Sequence, residues 1–170
     1  MMQKITPIKV LEVFLKEPTS THFIKEISRK IKIAPTSVRI NIKQLFKAKL
    51  IKVQKSRPFD GYVADRENDK FLFYKRIYNL YSLYSLKELI IESIQPKAIV
   101  LFGSYSKGED IETSDIDIIV LSKLKKEINF EKFEKDLGRK INVIFIDKLE
   151  KLDKNIRIKA INGIVLYGEI

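Results

Sequence analysis

A chain of 170 residues, 45% apolar and 32% charged, can bury a core and is long enough for two small domains, so a disordered chain is excluded. It has no Cys and a single His, which removes disulfides and thiolate metal sites and argues against a His-rich zinc centre or a Ser-His-Asp triad. The net charge of +11 is concentrated at one end: residues 1–65 hold 14 Lys and Arg against 5 Asp and Glu, residues 66–95 hold 5 against 4, and residues 96–170 hold 14 against 13.

That N-terminal excess is an electrostatic footprint suited to nucleic acid. The apolar runs are only a few residues long, so no membrane span is expected. The opening MMQKITPIKV lacks the apolar stretch of a signal peptide, and a cytoplasmic protein is the expectation.

Three helical patterns precede residue 52. PIKVLEVFLK sets Ile8, Leu11, Phe14 and Leu15 at helical spacing, with Thr6 as cap, Pro7 in the first turn and Pro18 as terminator. STHFIKEISRKI carries the stripe Phe23, Ile24, Ile27 and Ile31, with His22 a polar residue of the surface or the helix start. The third helix begins near Pro35 and turns Val38, Ile42 and Leu45 inward. Its outward set is then Thr36, Ser37, Arg39, Asn41 and Lys43. Arg and Asn can read guanine and adenine edges bidentately, whereas Lys43, Lys52, Lys55 and Arg57 suit phosphates. Lys52–Asp65 reads as a β-hairpin with Asp60-Gly61 as its turn signal.

Residues 66–95 read as a helical connector, either one long helix or two joined ones, stopped by Pro96. Phe73, Ile77, Leu80, Tyr81 and Tyr84 form one broad stripe that Leu89 and Ile90 continue. Such a stripe must be covered, by a domain or by a second copy of the chain. A homodimer through this connector is the expected assembly.

KAIVLF, residues 97–102, is a buried-strand pattern. Gly103 permits a sharp turn off its end, and Ser104 can cap a short helix whose first N–H groups face an anion. Gly108 lets the next loop fold back, and Lys107 is placed to meet phosphate. Asp115 and Asp117 then open the apolar run IIVL. Alternation along a strand sends both carboxylates to one face. Two such carboxylates need a cation, and Mg²⁺ or Mn²⁺ bridging them to the phosphates of a nucleoside triphosphate supplies it.

Two family resemblances rest on these residues. ISRKIKIAPTSVRINIKQLFKAKLIKV, followed by the hairpin pattern, resembles a winged helix-turn-helix, with Lys49 standing where that family usually has glycine. GSYSKGEDIETSDID, which spaces Gly103-Ser104 ten residues before Asp115-x-Asp117, closely resembles the nucleotidyltransferase superfamily, the polymerase-β-like fold in its minimal form. The whole layout is similar to archaeal-type predicted nucleotidyltransferases.

The resemblances imply a two-domain α/β (α+β) chain: a winged helix-turn-helix at 1–65, the connector at 66–95, and a minimal mixed-sheet nucleotidyltransferase domain at 96–170. They imply a nucleoside triphosphate held by Gly103, Ser104 and Lys107, catalytic metal ligands Asp115 and Asp117, and double-stranded DNA as partner. The superfamily's third carboxylate falls on Asn142, which offers a carbonyl oxygen but no charge and is a poor base. Asp147 has the wrong strand parity to replace it and is expected to cap the following helix. Three functions fit this sequence: Mg²⁺-dependent transfer of a nucleotidyl group to a hydroxyl, a DNA-binding regulator whose C-terminal domain binds nucleotide without turnover, and the antitoxin of a toxin–antitoxin pair.

Overall fold

A computed structural model of the chain describes residues 6–124 and 127–170; the first five residues of the segment read for a leader lie outside the described residues. The chain forms two compact units, Met1–Lys75 and Arg76–Ile170. Among the described residues no helix is long and apolar enough to cross a membrane.

The first unit runs α1 (Thr6–Lys16), α2 (Ile24–Ile31), α3 (Pro35–Lys47), β1 (Ile51–Gln54) and β2 (Gly61–Ala64), then enters α4 (Asp69–Ser82), within which the unit boundary falls. Pro35 sits in the first turn of α3, where its missing N–H is harmless. β1 and β2 pair antiparallel with Gln54 opposite Gly61, so Gly61 starts a strand and is not a turn residue as expected. Residues 55–60 form the loop, closed by a 2.8 Å Lys55–Asp60 ion pair. A β-carbon on Gly61 would stand 2.3 Å from Thr21 Cγ2, and this closeness allows His22 to bridge to Tyr62. His22 is buried against Phe14 with ring centroids 5.1 Å apart, not on the surface.

The stripe of α1 differs from the pattern expected, and that of α2 keeps its face apart from one residue. In α1 the buried residues are Val10, Val13, Phe14 and Leu15, while Ile8 is exposed. α1 carries apolar residues on more than one side, so spacing alone did not choose its inner face. In α2 Ile27 is buried and Ile24 and Ile31 are half-buried on the same face, while Phe23, which precedes the helix, is exposed.

Residue 49 is where the winged-helix pattern has glycine. Lys49 takes the left-handed conformation, φ +56°. Its N–H reaches the carbonyl of Phe46 at 3.0 Å, and the N–H of Leu50 reaches that of Leu45, also at 3.0 Å. These are the two bonds of a Schellman cap, and Leu45 and Leu50 are both buried beside it.

The second unit holds the end of α4, then α5 (Tyr84–Ile94), β3 (Ala98–Phe102), α6 (Gly103–Lys107), β4 (Ile116–Leu121), α7 (Glu131–Leu137), β5 (Ile141–Ile146), α8 (Lys154–Ile161) and β6 (Ile164–Gly168). The connector is thus two helices joined at Leu83. Its buried residues are Phe71, Lys75 and Asn79 in α4 and Leu83, Leu86, Ile90 and Ile94 from the joint onward; of the expected stripe Ile90 is buried, while Phe73, Ile77, Tyr81 and Tyr84 are exposed. The sheet order is β5-β4-β3-β6, with β4 parallel to β5 and antiparallel to β3. Strand alternation splits the core in two. Ile99, Leu101, Ile116, Ile118 and Val120 pack with α5 on one face, and Val100, Phe102, Ile119 and Leu121 pack with Ala160 of α8 on the other.

A lysine in the left-handed region costs about 1–2 kcal/mol, part of which glycine gives back through its freer unfolded chain. Lys49→Gly is expected to stabilise the chain by about 0.5–1 kcal/mol in urea denaturation. A lower midpoint would show that the lysine side chain offsets its own strain.

Candidate functional site

The site grows from the end of β3. Phe102 is the last strand residue, and Gly103 turns the chain into α6 at φ +76°. Glycine is required there for conformation and for space, because a β-carbon would lie 2.6 Å from Asp117 Oδ2. The Ser106 hydroxyl donates to the Gly103 carbonyl at 2.8 Å and pins the corner. Gly108 ends α6 in the left-handed region, and its N–H meets the carbonyls of Ser104 and Tyr105. Ser104 is half-buried at the corner and Lys107 is exposed at the helix end.

Asp115 lies one residue before β4, and Asp117 is the second residue of that strand. Ile116 between them is fully buried, so the two carboxylates leave on the opposite side. β4 pairs with Phe102 opposite Asp117 on one edge and with Asn142 opposite Asp117 on the other. The Asn142 amide donates to Asp115 Oδ2 at 3.2 Å and to Asp117 Oδ1 at 3.2 Å. One neutral amide therefore spans both carboxylates. Asp147 follows the opposite end of β5 and forms a 2.7 Å ion pair with Lys151. It is not a helix cap, since Lys148 precedes the short 3₁₀ turn Leu149–Lys151 and Asp153 caps α8.

Among the described residues no group of three or more His, Cys, Asp or Glu is placed to hold a metal ion. Two carboxylates plus an amide oxygen, once the Asn142 amide rotates to present it, make an all-oxygen donor set. Hard cations such as Mg²⁺ or Mn²⁺ suit that set. The tight Gly103–Asp117 approach leaves the nearest backbone free of any side chain that would crowd it.

Sequence reasoning missed the network under the loop between α6 and β4. Asp110 and Arg139 form a 2.9 Å ion pair with side chains 0% and 6% exposed. Asn79 of α4 donates to Asp110 Oδ1 at 2.7 Å and to the Tyr105 carbonyl at 2.8 Å. Arg139 Nη1 donates to the carbonyls of Ile111 and Ser114, the latter at 3.1 Å. Its guanidinium also lies over the Tyr105 ring, 5.5 Å from the centroid. Removing one partner of a buried pair like this costs about 3–5 kcal/mol. The available signals were Asp110 inside the motif loop and Arg139 two residues before the apolar strand β5.

On the first unit, α3 turns Thr36, Arg39 and Lys43 to solvent with Ser37 half-buried. Asn41 departs from the outward set. It is buried, and its amide donates back to the Ser37 carbonyl at 2.8 Å, one helical turn earlier. Ile40 and Phe46 are exposed instead. Lys52 pairs with Asp65 at 2.9 Å and with Glu67 at 2.8 Å, so two lysines of the hairpin, Lys52 and Lys55, already meet acids of this chain.

Residues 83–166 match the family model described as nucleotidyltransferase domain. Two proteins of Methanocaldococcus jannaschii, each named "Putative protein adenylyltransferase", are similar to the chain. One is 37% identical, covering 34% of this chain and 65% of the relative; the other is 40% identical, covering 34% and 64%. The chain thus spans less than two thirds of either relative's length.

Tyr105 packs under this site with its hydroxyl 2.9 Å from the Ser82 hydroxyl. Burial pushes its phenol up to about 12, against the opposing pull of the Ser82 hydrogen bond. The fold therefore favours the neutral phenol: the stabilisation is complete below about pH 10 and is lost as pH rises toward about 12. Across that window wild type is expected to lose about 1.4 kcal/mol per pH unit relative to Tyr105→Phe. Parallel pH-stability curves for the two proteins would contradict this.

Proposed function

From the premise that residues 83–166 are a nucleotidyltransferase-type domain, we propose that the chain transfers an adenylyl group from ATP to a protein hydroxyl and that its N-terminal unit is a DNA-binding winged helix. The observation that carries the catalytic half is the convergence of Asp115, Asp117 and Asn142 beside the Gly103 corner. In this reading Asp115, Asp117 and the Asn142 amide oxygen hold Mg²⁺ or Mn²⁺. The ion supplies charge stabilisation to the phosphoryl oxygens. Backbone N–H groups at Gly103 and Ser104, the Ser104 hydroxyl and Lys107 orient the triphosphate.

The acceptor oxygen forms a bond to the α-phosphorus, the α–β bridging bond breaks, and pyrophosphate leaves. The acceptor's proton passes to Asp115, Asp117 or solvent, because a neutral amide cannot take it. That same amide supports a second reading, a DNA-binding regulator that binds nucleotide without turnover. Asn142 already donates to both carboxylates and brings no third charge.

The DNA half rests on the basic N-terminal segment and on Arg39 and Lys43 facing solvent on α3. Arg39→Ala is expected to cost about 1–3 kcal/mol at a preferred duplex and to relax sequence preference. Lys43→Ala should weaken all duplexes alike and lower the salt slope by about one. Equal affinity of wild type and both variants for every duplex at low salt would remove the DNA assignment.

For the transferase, ATP binding and pyrophosphate release are measured with Mg²⁺ or Mn²⁺. Wild type is expected to release pyrophosphate, Asp115→Asn and Asp117→Asn to release none, and Asn142→Asp to run at least about tenfold faster, since a positioned base contributes about 10²–10⁴-fold. Binding by wild type with release only by Asn142→Asp selects the regulator. Neither binding nor release would falsify both readings.

A further inference from the structure

We propose that Arg139, Asp110 and Asn79 form a positioning clamp that sets Asp115 beside Asp117, a role that rests on the nucleotidyl-transfer reading. Asp117 is held by β-ladder bonds on both sides, opposite Phe102 and Asn142. Asp115 precedes the ladder, is exposed, and depends on the loop that delivers it. Loops of this kind move readily unless something grips them.

Arg139 grips this one along its length. One guanidinium nitrogen binds Asp110 at 2.9 Å near the start of the loop. The other donates to the carbonyls of Ile111 and of Ser114, whose peptide leads directly into Asp115, the Ser114 bond being 3.1 Å. The loop is folded on itself by the Ser114 N–H to the Ile111 carbonyl at 3.0 Å and by the Ile111 N–H to the Ser114 hydroxyl at 2.9 Å. Asn79 buttresses the assembly from α4, taking up the other Asp110 oxygen at 2.7 Å and the Tyr105 carbonyl at 2.8 Å.

A rigid five-donor fork is the group that can bind a carboxylate and two carbonyls at once. For stability alone, apolar residues of the same volume serve as well as a buried ion pair or better. The network's place directly under the carboxylate loop points instead to positioning. Arg139 also precedes β5 by two residues, and the Ile116 N–H bonds the Lys140 carbonyl at 2.8 Å, so the clamp ties Asp115 to the strand that carries Asn142.

The test separates positioning from folding. The full chain is prepared as wild type, as Asp110→Leu with Arg139→Met, as Arg139→Lys, and as Asp117→Asn. Thermal midpoint, amide hydrogen exchange at Ser114, Asp115 and Val120, and Mn²⁺ binding in the presence of ATP by water-proton relaxation are measured on each. The apolar double variant is expected to keep its midpoint and its Val120 protection. Its Ser114 and Asp115 amides should exchange faster, and Mn²⁺ should bind about 10- to 100-fold more weakly, the usual effect of losing an outer-shell partner. Arg139→Lys, which keeps the charge but loses the fork, should show the same loss to a smaller degree.

Wild-type Mn²⁺ affinity and unchanged loop exchange in the double variant would overturn the clamp; if that variant does not fold, the same result in Arg139→Lys does so. Asp117→Asn reports on the premise separately. If it binds Mn²⁺ with ATP as wild type does, the metal site is misplaced, while the exchange data still decide whether the network holds the loop.

Discussion

Strand β4 is hydrogen-bonded on both edges, and the site depends on that double registration. Asp117 sits opposite Phe102 across one ladder and opposite Asn142 across the other. A slip of one residue on either side would turn the interior of the sheet outward, because alternation has a period of two. Burial of Ile116, Ile118 and Val120 on one face and of Ile119 and Leu121 on the other forbids the slip. The apolar core therefore fixes the polar site, although no core side chain belongs to it. The Gly103 corner obeys the same register, since it follows the residue that faces Asp117.

The parts legible in the sequence were those that local chemistry determines. Gly103 was legible from turn chemistry, Asp115 and Asp117 from strand alternation, and Asn142 only through the family resemblance; the structure brings all four together. Parity also separated Asp147 from them correctly, although its pairing with Lys151 was not foreseen. Lys49 was recognisable as a residue in glycine's place, and its backbone took glycine's conformation. What was not legible were choices made by tertiary packing. α4 has apolar or aromatic residues on most of its circumference, so the stripe of Phe73, Ile77 and Tyr81 looked like the inner face and is the outer one. Asn41 looked like a base-reading residue because it is polar, but it satisfies its amide on its own helix. Asp110 and Arg139 were not singled out, because burial of a charge shows only when its partner does.

Buried polar groups recur in both units at places where backbone direction changes. His22 lies between α1 and α2 and bonds the Glu17 carbonyl at 3.2 Å and Glu26 at 3.3 Å. Ser106 pins the corner at Gly103 and Arg139 holds the loop before β4. In each case a side chain satisfies or replaces backbone bonds that regular structure does not supply there. The helices and strands could be built from apolar patterning alone; the junctions between them could not.

Asn142 also has a genetic consequence for this site. Asparagine and aspartate codons differ at a single base, and the change is a transition. The residue that lies opposite Asp117 and spans both carboxylates is thus one nucleotide away from completing a triad of acids. Every other part of that geometry is already in register, so the chain stands within the shortest mutational step of a different charge state at its centre, reachable in either direction.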